Sequence, residues 1–568
     1  MTTLLPTRRS VLASAAGVAA TGAAGARLGA AQAAGKPRQR PQGARFVHGV
    51  ASGDPLPTQV VIWTRVTPIA TATPGSGVGP TVVGRWEVAK DKRFTKIVRG
   101  GPFTTSAGRD HTIKVDVTGL DPATWYFYRF SVPKHRSPVG RTRTAPALDA
   151  TPENLRFGVV SCANLRAGFF SAYRALAARD DLDAIVHLGD YLYEYGPGEY
   201  GLGPDDIDVR PHVPAHEMIS LGDYRQRHAQ YKQDPDLQAA HLRYPWIITW
   251  DDHEVTNDAW AGGAESHTQG AEGDYLARRT WAHRAYDEWM PVRMSSTAKV
   301  GDGTRLYRRF QFGQLAELSM LDLRTYRSEQ VKTALPAPAP ASEAALSDPA
   351  RTLTGDAQMA WLKSSLDREV QWKIVGNPVM IAPVAFGSLP QDLIKPINDV
   401  TGLLPTDGFP YNVDQWDGYT ADRREVLDVI RDKGVKDALF ITGDIHSGWA
   451  AELPYDAATY PLGDSAGVEF VCTSVTSNNL KDILAVPRRT GSVAVEQAIT
   501  ANNRHIKYLN FDDHGFSVLD LTSRRAQMDW YIIGDRADRD TAVTWTASYK
   551  TDATTGRVQA VGAPVQES

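Results

Sequence analysis

At 568 residues the chain exceeds what one hydrophobic core usually supports, so at least two domains are expected. Its composition, 42% hydrophobic and 22% charged, is ordinary for a folded soluble protein. The formal charge is −3, and the first 33 residues carry three arginines and no acid, so their removal leaves about −6. Nothing in that balance suggests a nucleic-acid-binding surface.

The amino terminus reads as an address. Thr7-Arg8-Arg9-Ser10-Val11-Leu12 supplies paired arginines, a weakly apolar Ala/Gly/Val stretch follows, and Ala31-Gln32-Ala33 offers a small-residue cleavage site. A membrane anchor fits poorly, because the segment is short and rich in Gly and Ala. Residues 1–33 are therefore expected to be a twin-arginine export signal, with the Tat export machinery as partner and a secreted or wall-associated product. Residues 34–45, basic and containing Gly and Pro, read as a flexible arm. Cys162 and Cys472 are the two cysteines, and could form one disulfide, although Cys162 lies where a metal ligand would be wanted.

From Phe46 to about residue 150 the texture is β. Runs such as Gln59–Val66, Thr81–Val88, His111–Val117 and Thr124–Ser131 are separated by Gly, Pro or Asp. An immunoglobulin- or fibronectin-like β-sandwich is expected at 46–150, without a cluster of catalytic residue types. Near Thr151-Pro152 strands begin to alternate with helices, which predicts an α/β domain over 151–545, followed by a tail over 546–568. A late β pair, 468–475 and 516–532, is expected to complete a second sheet.

Five apolar runs in that domain end in residues that bind metals or anions. Leu155–Val160 leads to Cys162, Ala184–Leu188 to Gly189-Asp190, and Trp246–Trp250 to Asp251-Asp252-His253-Glu254. Trp372–Gly376 leads to Asn377, and Ala438–Thr442 to Gly443-Asp444-Ile445-His446. A single Asp or Asn at a strand end is usually a turn former. Ligands, however, collect at the carboxyl ends of parallel strands, and the five ends are expected on one edge of a sheet. Several acids crowded there would raise one another's pKa values unless cations neutralised them.

At these residues the chain resembles the metallophosphoesterase superfamily, and within it the PhoD-like alkaline phosphatase D family. His48–Pro55 is similar to the start of that family's N-terminal domain. Ser161–Asn164, Gly189–Tyr193, Trp250–Glu254 and Gly443–His446 are similar to its central motifs, in order. Purple acid phosphatases have a similar layout, from which this chain departs. Cys162 stands where they carry an Asp, Asp252 where they carry an Asn, and Asp444 where they carry a His. Asn377 takes the position of their separate His.

The resemblance implies an α/β metallophosphoesterase domain with two packed mixed sheets flanked by helices. It also implies ferric iron together with calcium. Cys162, Tyr193 and His446 with Asp190 suit a trivalent ion, and the carboxylates of Asp190, Asp252 and Asp444 suit Ca²⁺. By analogy a metal-bound oxygen attacks phosphorus in line, and His253 or His446 protonates the leaving oxygen or orients the phosphate. Arg166 and Arg324 are candidates for gripping the phosphate. The implied substrates are phosphate mono- or diesters, hydrolysed by a monomer.

Two alternatives keep the same scaffold: a calcium-dependent phospholipase D acting on phospholipids, and a wall-associated binding protein with an inactive site. A separate pattern, His505-Ile-Lys507-Tyr-Leu-Asn-Phe-Asp512, fits the signature of the two-histidine phospholipases D. It occurs once, where those enzymes need two copies. A similar segment in PhoD-like enzymes suggests instead that His505 lies at the pocket rim and touches substrate.

Overall fold

A computed structural model describes residues 45–294, 305–331, 343–386 and 408–566. The export signal expected at 1–33, and all but the last residue of the arm, lie outside them. Among the described residues, no helix is long and apolar enough to cross a membrane.

Two large sheets form the centre. The first has ten strands, in spatial order Gln559–Val561, Val543–Asp552, Arg525–Ile533, Gly515–Thr522, Asn154–Val160, Ala184–Leu188, Pro245–Thr249, Val50–Leu56, Gln59–Arg65 and Thr112–Thr118. The second has seven, in the order Arg308–Phe312, Ala316–Met320, Trp372–Asn377, Ala438–Thr442, Ser465–Val471, Gly448–Pro454 and Ile506–Asn510. Their middle strands are parallel: Ile185 pairs with Trp246 in one sheet, and Ile374 with Leu439 in the other. Phe157, Val186, Leu188, Leu318, Ile374 and Ile441 fill the space between the sheets. Helices cover both outer faces, including Ser171–Ala178, Leu221–Tyr231 and Thr420–Asp432. Strands covered on both faces must be apolar throughout, and Ala184–Leu188 and Ala438–Thr442 are buried at every position.

The N-terminal sandwich is present, but it is not a detached unit. Val82–Ala89, Ile97–Thr105, Trp125–Val132, His135–Arg136 and Gly140–Arg143 form a five-stranded sheet. Its partner layer, Val50–Leu56, Gln59–Arg65 and Thr112–Thr118, is the end of the ten-stranded sheet. Ser52 pairs in parallel with Pro245 across the join. Val60, Ile62, Val88, Phe103, Tyr128 and Phe130 pack between the two layers. The physical signal lies in Val60–Trp63, a continuous apolar run covered on both faces, whereas Trp125–Val132 alternates between buried and half-buried positions.

Three further expectations are corrected. Residues 546–568 are not a tail, because Val543–Asp552 and Gln559–Val561 extend the ten-stranded sheet and Tyr549 packs on Trp530 and Tyr508. The late β pair is split: Ser465–Val471 joins the seven-stranded sheet, while Gly515–Thr522 and Arg525–Ile533 join the other. The five ligand-bearing strand ends accordingly come from two facing sheets rather than one edge.

One buried lysine joins the sandwich layer to the region beneath Asp190. Lys232, at the end of helix Leu221–Tyr231, holds its Nζ 2.8 Å from His241 Nε2. It lies 5.3 Å from the ring centre of Trp63 and 4.9 Å from that of Tyr191. Burial pushes its pKa well below the ordinary 10.5. An amine that holds its proton less tightly in the fold than in the unfolded chain makes the unfolded state bind more protons between the two pKa values. Stability therefore rises with pH between the lowered value and 10.5. Lys232→Met is expected to raise the urea midpoint at pH 7 and to lose that advantage as the pH nears the ordinary lysine value. An advantage independent of pH would contradict this reading.

Candidate metal centre

The strand ends meet because two glycines let their loops touch. Gly189 has φ +107°, and a Cβ there would lie 2.5 Å from the Cβ of Asp251. Across the gap between the sheets, a Cβ on Gly443 would lie 2.7 Å from that of Ser161. Beyond these turns Cys162, Asp190, Asp444 and His446 all have φ between +55° and +61°. Non-glycine residues in the left-handed region cost of order 1 kcal/mol each, and such strain collects at functional sites.

Three buried donor groups result. Cys162, Asp190 and His446 each present a ligand atom within 4.8 Å of the other two. The same holds for Asp190, Asp252 and His253, and for Asp251, Asp252 and Asp444. The Tyr193 hydroxyl donates to Asp190 Oδ2 at 2.9 Å and lies 3.2 Å from His446 Nε2. His446 Nδ1 sits 2.8 Å from the Asn478 carbonyl, which directs Nε2 inward. Glu254 secures the floor by accepting from the backbone N–H of Asp190 (3.1 Å), Tyr191 (2.6 Å) and Asp251 (2.9 Å). The His253 ring packs on that of Tyr193, tilted by 32° with ring centres 4.1 Å apart, and its Nδ1 is 2.7 Å from Glu194 Oε2. Its Nε2 is buried with no hydrogen-bond partner among the described residues.

The electrostatics favour a cation. Burial, and then Asp190, hold the Cys162 thiol and the Tyr193 phenol well above their ordinary ranges. Burial raises the Asp251 carboxyl, and Asp252 and Asp444 add to the effect against the opposing Arg324. Arg324 serves these acids and Asp414 together. It forks onto Asp251, reaches Asp414 at 2.9 and 3.0 Å, and lies 3.6 Å from Asp444 and 3.9 Å from Asp252. Arg327 also pairs with Asp414 at 2.8 Å, and Arg324 brings a single positive charge to the three buried acids Asp251, Asp252 and Asp444. Thiol, phenol, imidazole and carboxylate donors side by side fit metal cations.

Cys162, Asp190, Tyr193, Asp252, His253, Asp444 and His446 thus lie together. Asn377 is engaged elsewhere: its amide reaches Thr442 (3.2 Å) and Glu469 (3.4 Å), and its oxygen accepts from Trp416 Nε1 (3.0 Å). Arg324 reaches the centre, but its N–H groups are directed at Asp251 and Asp414. Arg166 donates to the Gly196 carbonyl and pairs with Asp208 at 3.1 Å. His505 is buried against the Pro383 carbonyl at 2.8 Å, Lys507 donates to the Arg504 carbonyl, and Asp512 accepts from Arg489 N–H. The His-Lys-Asp signature therefore does not converge on a site of its own. Both cysteines are free and buried, so no disulfide joins them.

Sequence reasoning passed over Asp251, Glu254, Glu194 and Asp414. The first two stood in a motif already singled out, and the adjacent acids of Asp251-Asp252 were the available signal. Glu194 and Asp414 carry no local mark, since only the fold brings them to His253 and Arg324.

Gly189→Ala should destabilise the protein by about 2 kcal/mol or more, because it adds a left-handed penalty to a clash with Asp251. Chemical denaturation measures this, and an unshifted midpoint would remove the close approach as a constraint.

Comparisons with known proteins bear on the family of the chain. A family model described as PhoD-like phosphatase matches residues 157–530, and one for the PhoD-like phosphatase N-terminal domain matches residues 29–146. "Alkaline phosphatase D" of Bacillus subtilis (strain 168) is 37% identical over 508 residues, covering 89% of this chain and 80% of that protein. A solved structure of PhoD superposes with a TM-score of 0.81 at 34% identity, over 93% of this chain and 94% of that one. The chain belongs to the PhoD-like phosphatase family.

Proposed function

We propose that this chain is an exported, metal-dependent phosphatase that hydrolyses phosphate esters at the centre built around Asp190. Membership of the family makes it a phosphoric ester hydrolase. The observation that carries the metal reading is the buried convergence of Cys162, Asp190 and His446 beside the Tyr193 hydroxyl.

Cys162, Tyr193, His446 and Asp190 would hold a ferric ion, for which thiolate, phenolate and imidazole are suitable donors. Asp190, Asp252 and Asp444, with Asp251 beside them, would hold calcium through hard oxygens. When bound, the metals make an attacking water easier to ionise and balance charge that builds on the phosphoryl oxygens. The protein's own groups do the rest. Asp190, shared between two donor groups, sets their spacing. Arg324 offsets the repulsion among Asp251, Asp252 and Asp444 while remaining held by Asp414. His253, oriented through Nδ1 by Glu194, keeps Nε2 available beside Asp190 and Asp252 to pass a proton to the departing ester oxygen. Export rests on Arg8-Arg9, the apolar stretch behind them and the Ala31-Gln32-Ala33 site.

Elemental analysis of the purified protein is expected to find iron and calcium, and exhaustive chelation to abolish ester hydrolysis. A visible charge-transfer colour should disappear in Tyr193→Phe. Full activity after chelation would sink the metal mechanism. His505→Ala provides the contrast: turnover should stay within about threefold of wild type, while stability falls by about 1–2 kcal/mol from the lost buried contact. Abolished turnover with full metal content would move His505 into the catalytic machinery.

A further inference from the structure

Three tyrosines lead outward from the centre. Tyr193 is wholly buried on His253. Tyr195 lies 6.5 Å from Tyr193, with ring planes 25° apart, and 5.3 Å from His253. Tyr200 continues the series, 5.5 Å from Tyr195 at 56°. Tyr195 and Tyr200 are both half-buried, and the chain between them is exposed at residues 197–199. The Tyr200 hydroxyl lies 3.3 Å from His446 Nδ1 and donates to the Asn478 carbonyl at 3.4 Å. One end of this ring is thereby tied to a proposed ligand, while the residue as a whole is partly open to solvent.

A site that recognised only the phosphoryl group would need charge and hydrogen-bond donors. These rings add an apolar, π-rich wall at the solvent side of a strongly polar centre. Tyrosine offers large rigid contact area through two rotatable bonds, and a ring anchored at its hydroxyl loses still less freedom when a ligand stacks on it. We propose that Tyr195 and Tyr200 form an aromatic shelf that takes up the planar ester group of the substrate. Esters of aromatic alcohols or nucleosides are then favoured over esters of simple alkyl alcohols. This rests on the reading that the Asp190 centre cleaves phosphate esters, and deepens it by naming the substrate class.

The test compares phenyl phosphate, adenosine 5′-monophosphate and ethyl phosphate as substrates of the metal-loaded protein. Wild type, Tyr200→Leu, Tyr200→Phe and Tyr195→Leu are assayed, with metal content measured for each. Taking the variant-to-wild-type ratio for every substrate cancels differences in leaving-group reactivity. The leucine variants are expected to lose about tenfold in kcat/KM on the planar esters, mainly through KM. Their loss on ethyl phosphate should be markedly smaller, and Tyr200→Phe should keep the preference. A loss confined to phenyl phosphate or to the nucleotide supports the shelf and identifies the group it takes. An equal loss on all three esters in Tyr195→Leu, with metal retained, overturns it. If Tyr200→Leu sheds metal or misfolds, Tyr195→Leu alone decides. Failure of the wild type on every ester would overturn the phosphatase reading itself, an outcome distinct from uniform loss in the variants.

Discussion

Buried negative charge is the constraint on which the centre depends. Asp190, Asp251, Asp252 and Asp444 lie in overlapping groups with ligand atoms under 5 Å apart, and Arg324 divides its charge among three of them and Asp414. Desolvation penalises every ionised carboxylate there, and mutual repulsion adds to the penalty. The fold tolerates this by tying the backbone down: Glu254 accepts three amides, and Asp252 accepts from His253 and Asp258. Those bonds hold the acids in place without neutralising them. Bound cations are what the arrangement calls for.

Left-handed backbone at Cys162, Asp190, Asp444 and His446 belongs to the same balance. Each residue lies in the loop beyond a strand end, where the donor groups meet. The surrounding sheet cores over-determine these conformations: Ala184–Leu188 and Ala438–Thr442 are buried throughout, Leu155–Val160 is buried ahead of Cys162, and the Cys162 carbonyl accepts from Ser477 Oγ at 2.9 Å. A parallel bridge between Ser161 and Ser474 links a strand end of the ten-stranded sheet to the chain leaving Ser465–Val471. Stability from the cores is in effect stored as strain where the ligands must meet.

The N-terminal layer serves the centre through continuity. Because Val50–Leu56 pairs beside Pro245–Thr249, the sandwich is an extension of the sheet that ends in Asp251-Asp252. Asp54 reinforces the join, accepting two bonds from Arg308 and the Arg293 backbone amide. Lys232 closes the same region from the helical side, resting on Trp63 of the sandwich layer and on Tyr191, the neighbour of Asp190.

Much of this was legible in the sequence because it is local. An apolar run that ends in Gly-Asp, or in Asp-Asp-His-Glu, declares both a doubly covered strand and the chemistry at its end. Five such endings in one chain were enough to suggest a metal-binding edge, and the motif order was enough to suggest the family. The order of strands was not legible, because hydrogen-bond partners hundreds of residues apart leave no local trace. Residues 546–568 resembled a tail until the sheet edge they extend was known. Asn377 looked equivalent to the other strand ends, yet Thr442, Glu469 and Trp416 absorb its amide. Arg324 looked free to grip phosphate, yet Asp251 and Asp414 surround it. Residue type and spacing determined which groups could bind a metal. Only the packing of two sheets determined which of them face one another, because a side chain's role is set by the partners that tertiary structure brings within hydrogen-bonding reach.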